Sequence, residues 1–340
     1  MPDRGSTSWP VTDFYRRTIV KHLFEGVYML EGEIGGRPLQ FVYLKGETAS
    51  LLMDTGCARD PSKFIVPQIN QAGGDIKDLT WILNTHPDLD HTCGNHQMKQ
   101  LAPKAILACS EVDRHICEGF DSLMRYRYDV YRADHQIFYD GDTLAWLRAE
   151  GGEPQPIDVT FRGGEHIRLG RGWELELIAV PGHAKGHLAV HDPAHQALYG
   201  ADAMHACGYR GLDGAMKLCP TYADVDDYLS TINLIERLPI TTYVGCHWPV
   251  KRDAEIGEFC RESRNFVDYT ERMLMEQLTK PRSLRELCMT LGPVLGDWPR
   301  ATDMELVYLL NGHLQRMRER QLISARARTT EPRVLEFTRS

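Results

Sequence analysis

No apolar run in this 340-residue chain comes near the twenty or so residues that cross a bilayer, which excludes a helical membrane-spanning protein. The first residues, MPDRGSTSWPVTDFYRRT, lack the apolar core of a signal peptide, so a cytoplasmic location is expected. Positive charge is also scarce. The formal net charge of −8 argues against an overall binder of nucleic acid or anionic membrane. Nine cysteines, an odd and scattered set without a C-x-x-C pair, do not make a disulfide framework in a chain this long. Reduced thiols are expected, most of them small buried hydrophobes. The residues after 250 hold no glycine-rich phosphate loop, which speaks against an appended nucleotide- or flavin-binding module. With 42% hydrophobic and 25% charged residues, the chain is long and apolar enough for a sizeable core.

What is present begins with short strands. GVYMLEG, LQFVYLKG and ASLLMDTG are apolar or alternating runs separated by turn residues. SKFIVPQINQAG reads as a helix kinked by Pro67 and ending at a glycine. LTWILNTH reads as a buried strand that delivers His86 at its carboxyl end, and AILACS as another. SEVDRHICEGF reads as a helix capped by Ser110. Residues 119–162, rich in tyrosine, arginine and aspartate without a clean period, read as a mostly helical insertion over the site or a surface excursion. Strand signals resume in HIRLGRGWELELIAVPG, HLAVHD and QALYGAD, followed by the amphipathic ADVDDYLSTINLIERL and the strand ITTYVGCH. Two face-to-face sheets with outer helices satisfy this order.

Beyond about residue 252 the pattern turns helical. Ser283 and Glu286 form a capping-box signature, DMELVYLLNGHLQRMRERQLI a second helix and RVLEF a closing strand. Helices followed by a small strand resemble a winged helix. Residues 281–340 carry ten arginines, no lysine and seven acids, a net +3, too little to favour DNA, so packing or homodimerisation is the expected role. The expected organisation is a catalytic unit over 1–252 and a helical extension over 253–340.

One segment carries the chemistry: NTHPDLDHTCGN, with His86, Asp88, Asp90 and His91 crowded together. In an extended loop residues 86, 88 and 90 point the same way, and such side chains are costly to bury unless they coordinate something. His183 in AVPGHAKGH, Asp202 in LYGAD and His247 in YVGCH also sit at strand ends. Four strand ends therefore each deliver a metal-capable side chain. His22, His115, His135, His166, His195 and His313 lack that context and read as ordinary core or surface residues. Cys93 and Cys246 read as packing residues, Cys246 facing away because neighbours along a strand alternate.

The ordered segments LLMDTG, THPDLDHTCGN, PGHAKGH, LYGAD and VGCH resemble the metallo-β-lactamase superfamily of metallo-hydrolases. The resemblance spans roughly residues 24–250 and implies an αββα sandwich, here with a winged-helix-like C-terminal extension. It implies two divalent metals. His86, Asp88 and His183 would hold the first; Asp90, His91 and His247 the second, with Asp202 bridging. Asp54 and His187 would orient ligands without binding metal. Asp88 departs from the family pattern H-x-H-x-D-H, and this chain reads H-x-D-x-D-H. A carboxylate there adds a negative charge and a hard donor, which favours iron or manganese over the otherwise expected zinc. Its short reach also puts occupancy of the first site in question.

Hydrolysis of an ester, lactone, thioester or amide bond in a small molecule is the implied activity, with Asp90 able to move a proton. Lactonases of the superfamily carry a tyrosine three residues after the bridging aspartate. His205 stands there, as a catalytic group or a surface histidine, with Tyr209 nearby. Tyr126, Tyr131 and Tyr209 are the expected substrate contacts. An iron enzyme using oxygen or redox chemistry on the same fold is one alternative. A metal-stabilised DNA-binding or regulatory protein is another, disfavoured because structural zinc sites are usually closed by four ligands, often cysteines.

Overall fold

The computed structural model describes residues 20–340, so the polar N-terminal stretch read above lies outside the described residues. The chain builds strands β1 (Lys21–Phe24), β2 (Val27–Ile34), β3 (Arg37–Lys45), β4 (Ser50–Met53), β5 (Trp81–Leu83), β6 (Ile106–Ser110) and β7 (Val159–Phe161), which hydrogen-bond in sequence order into one sheet. The first four strands pair antiparallel, and β4 to β7 pair parallel. A second sheet uses β8 (His166–Gly170), β9 (Trp173–Ala179), β10 (Leu188–Asp192), β11 (Ala197–Ala201), β14 (Thr242–Gly245) and β15 (Lys251–Arg252), in the order β15-β14-β11-β10-β9-β8. A hairpin, β12 (Tyr209–Arg210) and β13 (Met216–Leu218), stands apart.

Strand β3 shows why the sheets stack. Val42 and Leu44 face the other sheet, in one buried cluster with Leu177, Val190, Tyr199 and Val244. Phe41 and Tyr43, one residue out of phase, face outward against Ile65 and Ile69. A strand buried on both faces reads as a continuous apolar run, as LQFVYLK does. The outer face of the second sheet is covered by helix Val225–Arg237, capped by Asp224, whose side chain accepts from Asp227 N.

Several elements differ from the sequence reading. Residues 159–161 belong to the first sheet as its edge strand, so the helical insertion closes earlier than residue 162. It consists of short helices Phe120–Leu123, Arg132–His135 and Gly141–Glu150 with a π-helical turn at Met124–Tyr128. Ser110 ends β6 instead of capping a helix, and the following helix is only Arg114–Cys117. None of the nine cysteines is paired, and eight are buried.

The extension contains the long helix Ala254–Gln277, β16 (Arg282–Ser283), helices Leu284–Leu295 and Val307–Glu319, β17 (Ile323–Ala327) and β18 (Leu335–Arg339). Its strands form a sheet in the order β16-β18-β17, the winged-helix-like arrangement expected, and the Ser283–Glu286 capping box forms. Ile256, Phe259, Val267, Leu287 and Leu310 share one buried cluster with Val180, Leu198, Tyr228 and Ile232 of the sandwich. No helix among the described residues is long and apolar enough to cross a membrane.

Candidate metal centre

The carboxyl ends of β4, β5, β11 and β14 converge on one end of the sandwich, where parallel strands place their following loops together. Asp54 follows β4 with a left-handed φ of 64°, a conformation that costs a non-glycine residue energy and persists where surrounding contacts hold it. Its Oδ1 accepts from Thr85 N (2.7 Å) and its Oδ2 from Thr85 Oγ1 (2.9 Å), so Asp54 pins the loop after β5. Ala201 at the end of β11, with φ 45°, makes a comparable turn just before Asp202.

The hydrogen bonds determine which nitrogen of each histidine is free. His91 Nδ1 donates to Asp54 Oδ2 (2.8 Å), His183 Nδ1 to Thr221 O (3.1 Å) and His247 Nδ1 to Pro38 O (2.7 Å). Thr85 Oγ1 spends its proton on Asp54, so it accepts from His86 Nδ1 at 3.0 Å. Each neutral imidazole with Nδ1–H engaged keeps a lone pair on Nε2. All four rings are buried, and the Nε2 atoms turn inward.

There they meet more acceptors. His247 Nε2 lies 3.3 Å from Asp90 Oδ2 and 3.5 Å from Asp202 Oδ2. His91 Nε2 and Asp202 Oδ1 are buried without any partner. Burial disfavours charge on His91 and His247, yet the groups around them, Asp54 beside His91 and Cys246 and Asp202 beside His247, push both pKa values well up. Acceptors facing one another in a buried site require positive charge between them, from a metal ion or, without one, from a proton on the ring. The donor set of His91, Asp202 and His247, with Asp90 alongside, therefore fits a divalent metal.

A second cluster joins His86, Asp88 and His183, with Asp88 Oδ2 lying 2.9 Å from His183 Nε2 and 3.6 Å from His86 Nε2. Its fourth member carries no sequence signal. Arg127, from the π-helical turn of the insertion, grips Asp88 with two nitrogens, Nε on Oδ1 and Nη2 on Oδ2 (2.9 Å). Nη2 also donates to His183 Nε2 (3.2 Å) and Nη1 to His183 O (3.2 Å). His86 Nε2 remains unpartnered. This cluster fits a metal only in part, because Arg127 already serves two of its three acceptors.

Two other predicted residues lie deeper than expected. His205 is fully buried, both ring nitrogens unpartnered, and stacks on Tyr228 at 5.5 Å. It forms a candidate ligand group with His183 and Asp202, which removes the surface reading. His187 packs against His86 at 4.6 Å, also with both ring nitrogens unpartnered. Burial and the neighbouring imidazoles hold both pKa values well below the ordinary histidine range. The expectation that Cys246 faces away is overturned: its Sγ groups with the ligand atoms of His91, Asp202 and His247. Strand β14 ends at Gly245, with a register shift opposite Ala201, so alternation no longer governs residues 246 and 247.

A cavity of about 200 Å³ opens beside the clusters. The sandwich lines it with Arg37, Asp90, Asp202, Tyr209 and His247; the insertion with Tyr128, Tyr139 and Trp146; the extension with Thr302, Glu305 and Tyr308. Tyr209 Oη donates to Asp202 Oδ2 (3.2 Å). Tyr126 is exposed against His115 and Tyr131 packs on Tyr308, so these two expected substrate contacts do not line this cavity. Glu305 is held beside Tyr139 Oη (3.3 Å), and burial raises its pKa to about 7.

The family model described as the metallo-beta-lactamase superfamily matches residues 35–247, more than half of the chain. A hydroxyacylglutathione hydrolase of Hyphomonas neptunium is 33% identical over 91 residues, which is 26% of this chain and 32% of that protein. One from Synechococcus sp. is 24% identical over 216 residues, 62% of this chain and 66% of its own. The chain thus spans about a third of the first of these curated relatives and about two thirds of the second. A metallo-beta-lactamase family protein from Thermus thermophilus superposes with a TM-score of 0.73 at 20% identity, covering 94% of this chain and 100% of the other. That likeness in fold includes the extension.

Proposed function

The chain belongs to the metallo-beta-lactamase superfamily, and from that premise we propose that it is a metal-dependent hydrolase cleaving an acyl bond of a small molecule. The observation that carries the reading is the set of four buried imidazoles whose Nδ1 atoms are anchored and whose Nε2 lone pairs face carboxylates. His91, Asp202 and His247, with Asp90, would hold a divalent cation, and zinc is the first expectation. When bound, such a cation lowers the pKa of water and polarises an acyl oxygen.

The chain's own groups supply the rest. Asp90 lies on the cavity wall beside His247, where its carboxylate, kept ionised by His91 and His247 against the cost of burial, can accept a hydrogen bond from water. Tyr209 steadies Asp202 through its hydroxyl, itself held by Thr221 Oγ1 at 2.8 Å. The cavity is smaller than the 300–1,000 Å³ usual for sites that enclose drug-sized ligands, which suits a short acyl group or one end of a longer molecule. Leu218, Tyr139 and Tyr308 favour an apolar portion, and Arg37, whose Nε has no partner, favours a negative charge next to it. A thioester heads the ranking, because the matching curated relatives named above are hydroxyacylglutathione hydrolases.

The extension supports an enzymatic reading over DNA recognition. Its helix Val307–Glu319 buries most of its length, and Arg316 is paired with Asp226 and Glu271. The test is a panel of thioester, ester, lactone and amide substrates assayed before chelation, after it and after zinc is restored. Turnover of at least one member should vanish with the metal and return with it. Turnover that ignores the chelator, or none on any member with metal bound, overturns the proposal.

A further inference from the structure

Asp88 has a charged partner far along the chain. Asp88 and Arg127 lie 39 residues apart, with side chains only 15% and 10% exposed, and the pair is bidentate. Asp88 brings a negative charge into the cluster, and Arg127 cancels it. Of the guanidinium's five N–H groups, three meet Asp88 or His183 Nε2 and another the His183 carbonyl. The insertion is built to hold it there. The Met124–Tyr128 turn closes with Asp129 N donating to Met124 O, and Tyr128 Oη accepts from Leu89 N (3.0 Å), fastening the turn to the ligand loop. π-helical turns of this kind recur at functional sites.

Resting on the metal-dependent reading above, we propose that Arg127 is the resident cation of the first subsite, so that this chain binds one metal tightly, at His91, Asp202 and His247, and a second only when Arg127 is removed. The two clusters differ in what they lack. His91 Nε2 and Asp202 Oδ1 have no donor in reach, whereas Asp88 and His183 Nε2 already have one. A dication entering between His86, Asp88 and His183 would sit within a few ångströms of a guanidinium that cannot deprotonate. It would also have to share Asp88 with it.

The experiment is metal stoichiometry by elemental mass spectrometry, with zinc titration, on the wild type, Arg127→Met and Asp88→His/Arg127→Met. The wild type should hold one equivalent through gel filtration. Arg127→Met should hold two, the second tightened roughly 100-fold by loss of a like charge at close range. Should Arg127→Met fold poorly because Asp88 is left buried and unpaired, the double variant carries the test, since it has no unpaired charge and a third imidazole; it should also hold two. Two tight equivalents in the wild type overturn this inference and leave the hydrolase proposal standing. One equivalent in all three proteins overturns it as well, for Arg127 would then not be what limits the first subsite. No metal in the wild type overturns the underlying reading itself.

Discussion

At the scale of single residues, Asp54 organises the centre without facing the cavity. One carboxylate takes three hydrogen bonds from Thr85 and another from His91 Nδ1, so it sets two ring orientations together, His91 directly and His86 through Thr85. Removing an anchor of this type usually weakens metal binding 10- to 100-fold. Asp54→Ala should show a loss in that range in a competition titration against a chromophoric chelator. Glu305 gives a prediction in pH. Its folded pKa is raised by burial to about 7 from an ordinary value near 4.5, so the folded protein keeps a proton that the unfolded chain releases. Stability from this group is present below pH 4.5 and is lost as pH rises through 7. In the metal-free protein, Glu305→Gln should gain urea resistance relative to wild type between pH 5 and pH 8, and a constant difference across that range would contradict the assignment. Residue types and spacing made the histidines and aspartates legible. Arg127 was not, because nothing in an aperiodic segment says which of its arginines turns inward. Cys246 escapes the alternation rule because it stands one residue past the end of its strand.

At the scale of elements, the insertion is a structural part of the ligand loop. Tyr128 Oη is the acceptor for Leu89 N, at the start of the turn that carries Asp90 and His91. Tyr128→Phe leaves that amide without a partner in a half-buried position, which costs about 1–3 kcal/mol. The checking measurement is the denaturant midpoint of the metal-free protein; a value equal to wild type would mean that water replaces the hydroxyl at no cost. The element types were largely readable from period and turn residues, including the Ser283–Glu286 cap. Boundaries suffered where strands were short. Strand β5 holds three residues, and β7, also three, reads as part of the insertion because VTF carries too little pattern to declare itself.

At the scale of the whole molecule, the extension and the sandwich share a core. Tyr228 and Ile232 of helix Val225–Arg237 belong to the same buried cluster as Phe259, Val267, Leu310 and Leu314 beyond residue 252. Thr302, Glu305 and Tyr308 also line the cavity beside the candidate metal centre. A chain ended at residue 252 would expose that apolar face to water. It should be insoluble or melt without a cooperative transition, whereas the full chain should unfold in one. A soluble, cooperatively melting 1–252 fragment would show instead that the boundary suggested by the sequence separates two independent units.

The sequence by itself determined the fold class and the chemical type of the centre. Both depend on local patterns, the apolar runs of the strands and ligand-type side chains placed at their ends, and these act over a few residues. Only the tertiary structure decided how the centre is balanced. Asp54 reaches His91 across 37 residues, Arg127 reaches Asp88 across 39 and Tyr139 meets Glu305 across 166. Such pairings depend on where distant segments pack, and no short-range period encodes them. The same holds for the free nitrogens: a histidine's place in the chain shows that it can bind a metal, but its Nδ1 partner, Pro38 for His247 and Thr221 for His183, decides which lone pair it offers.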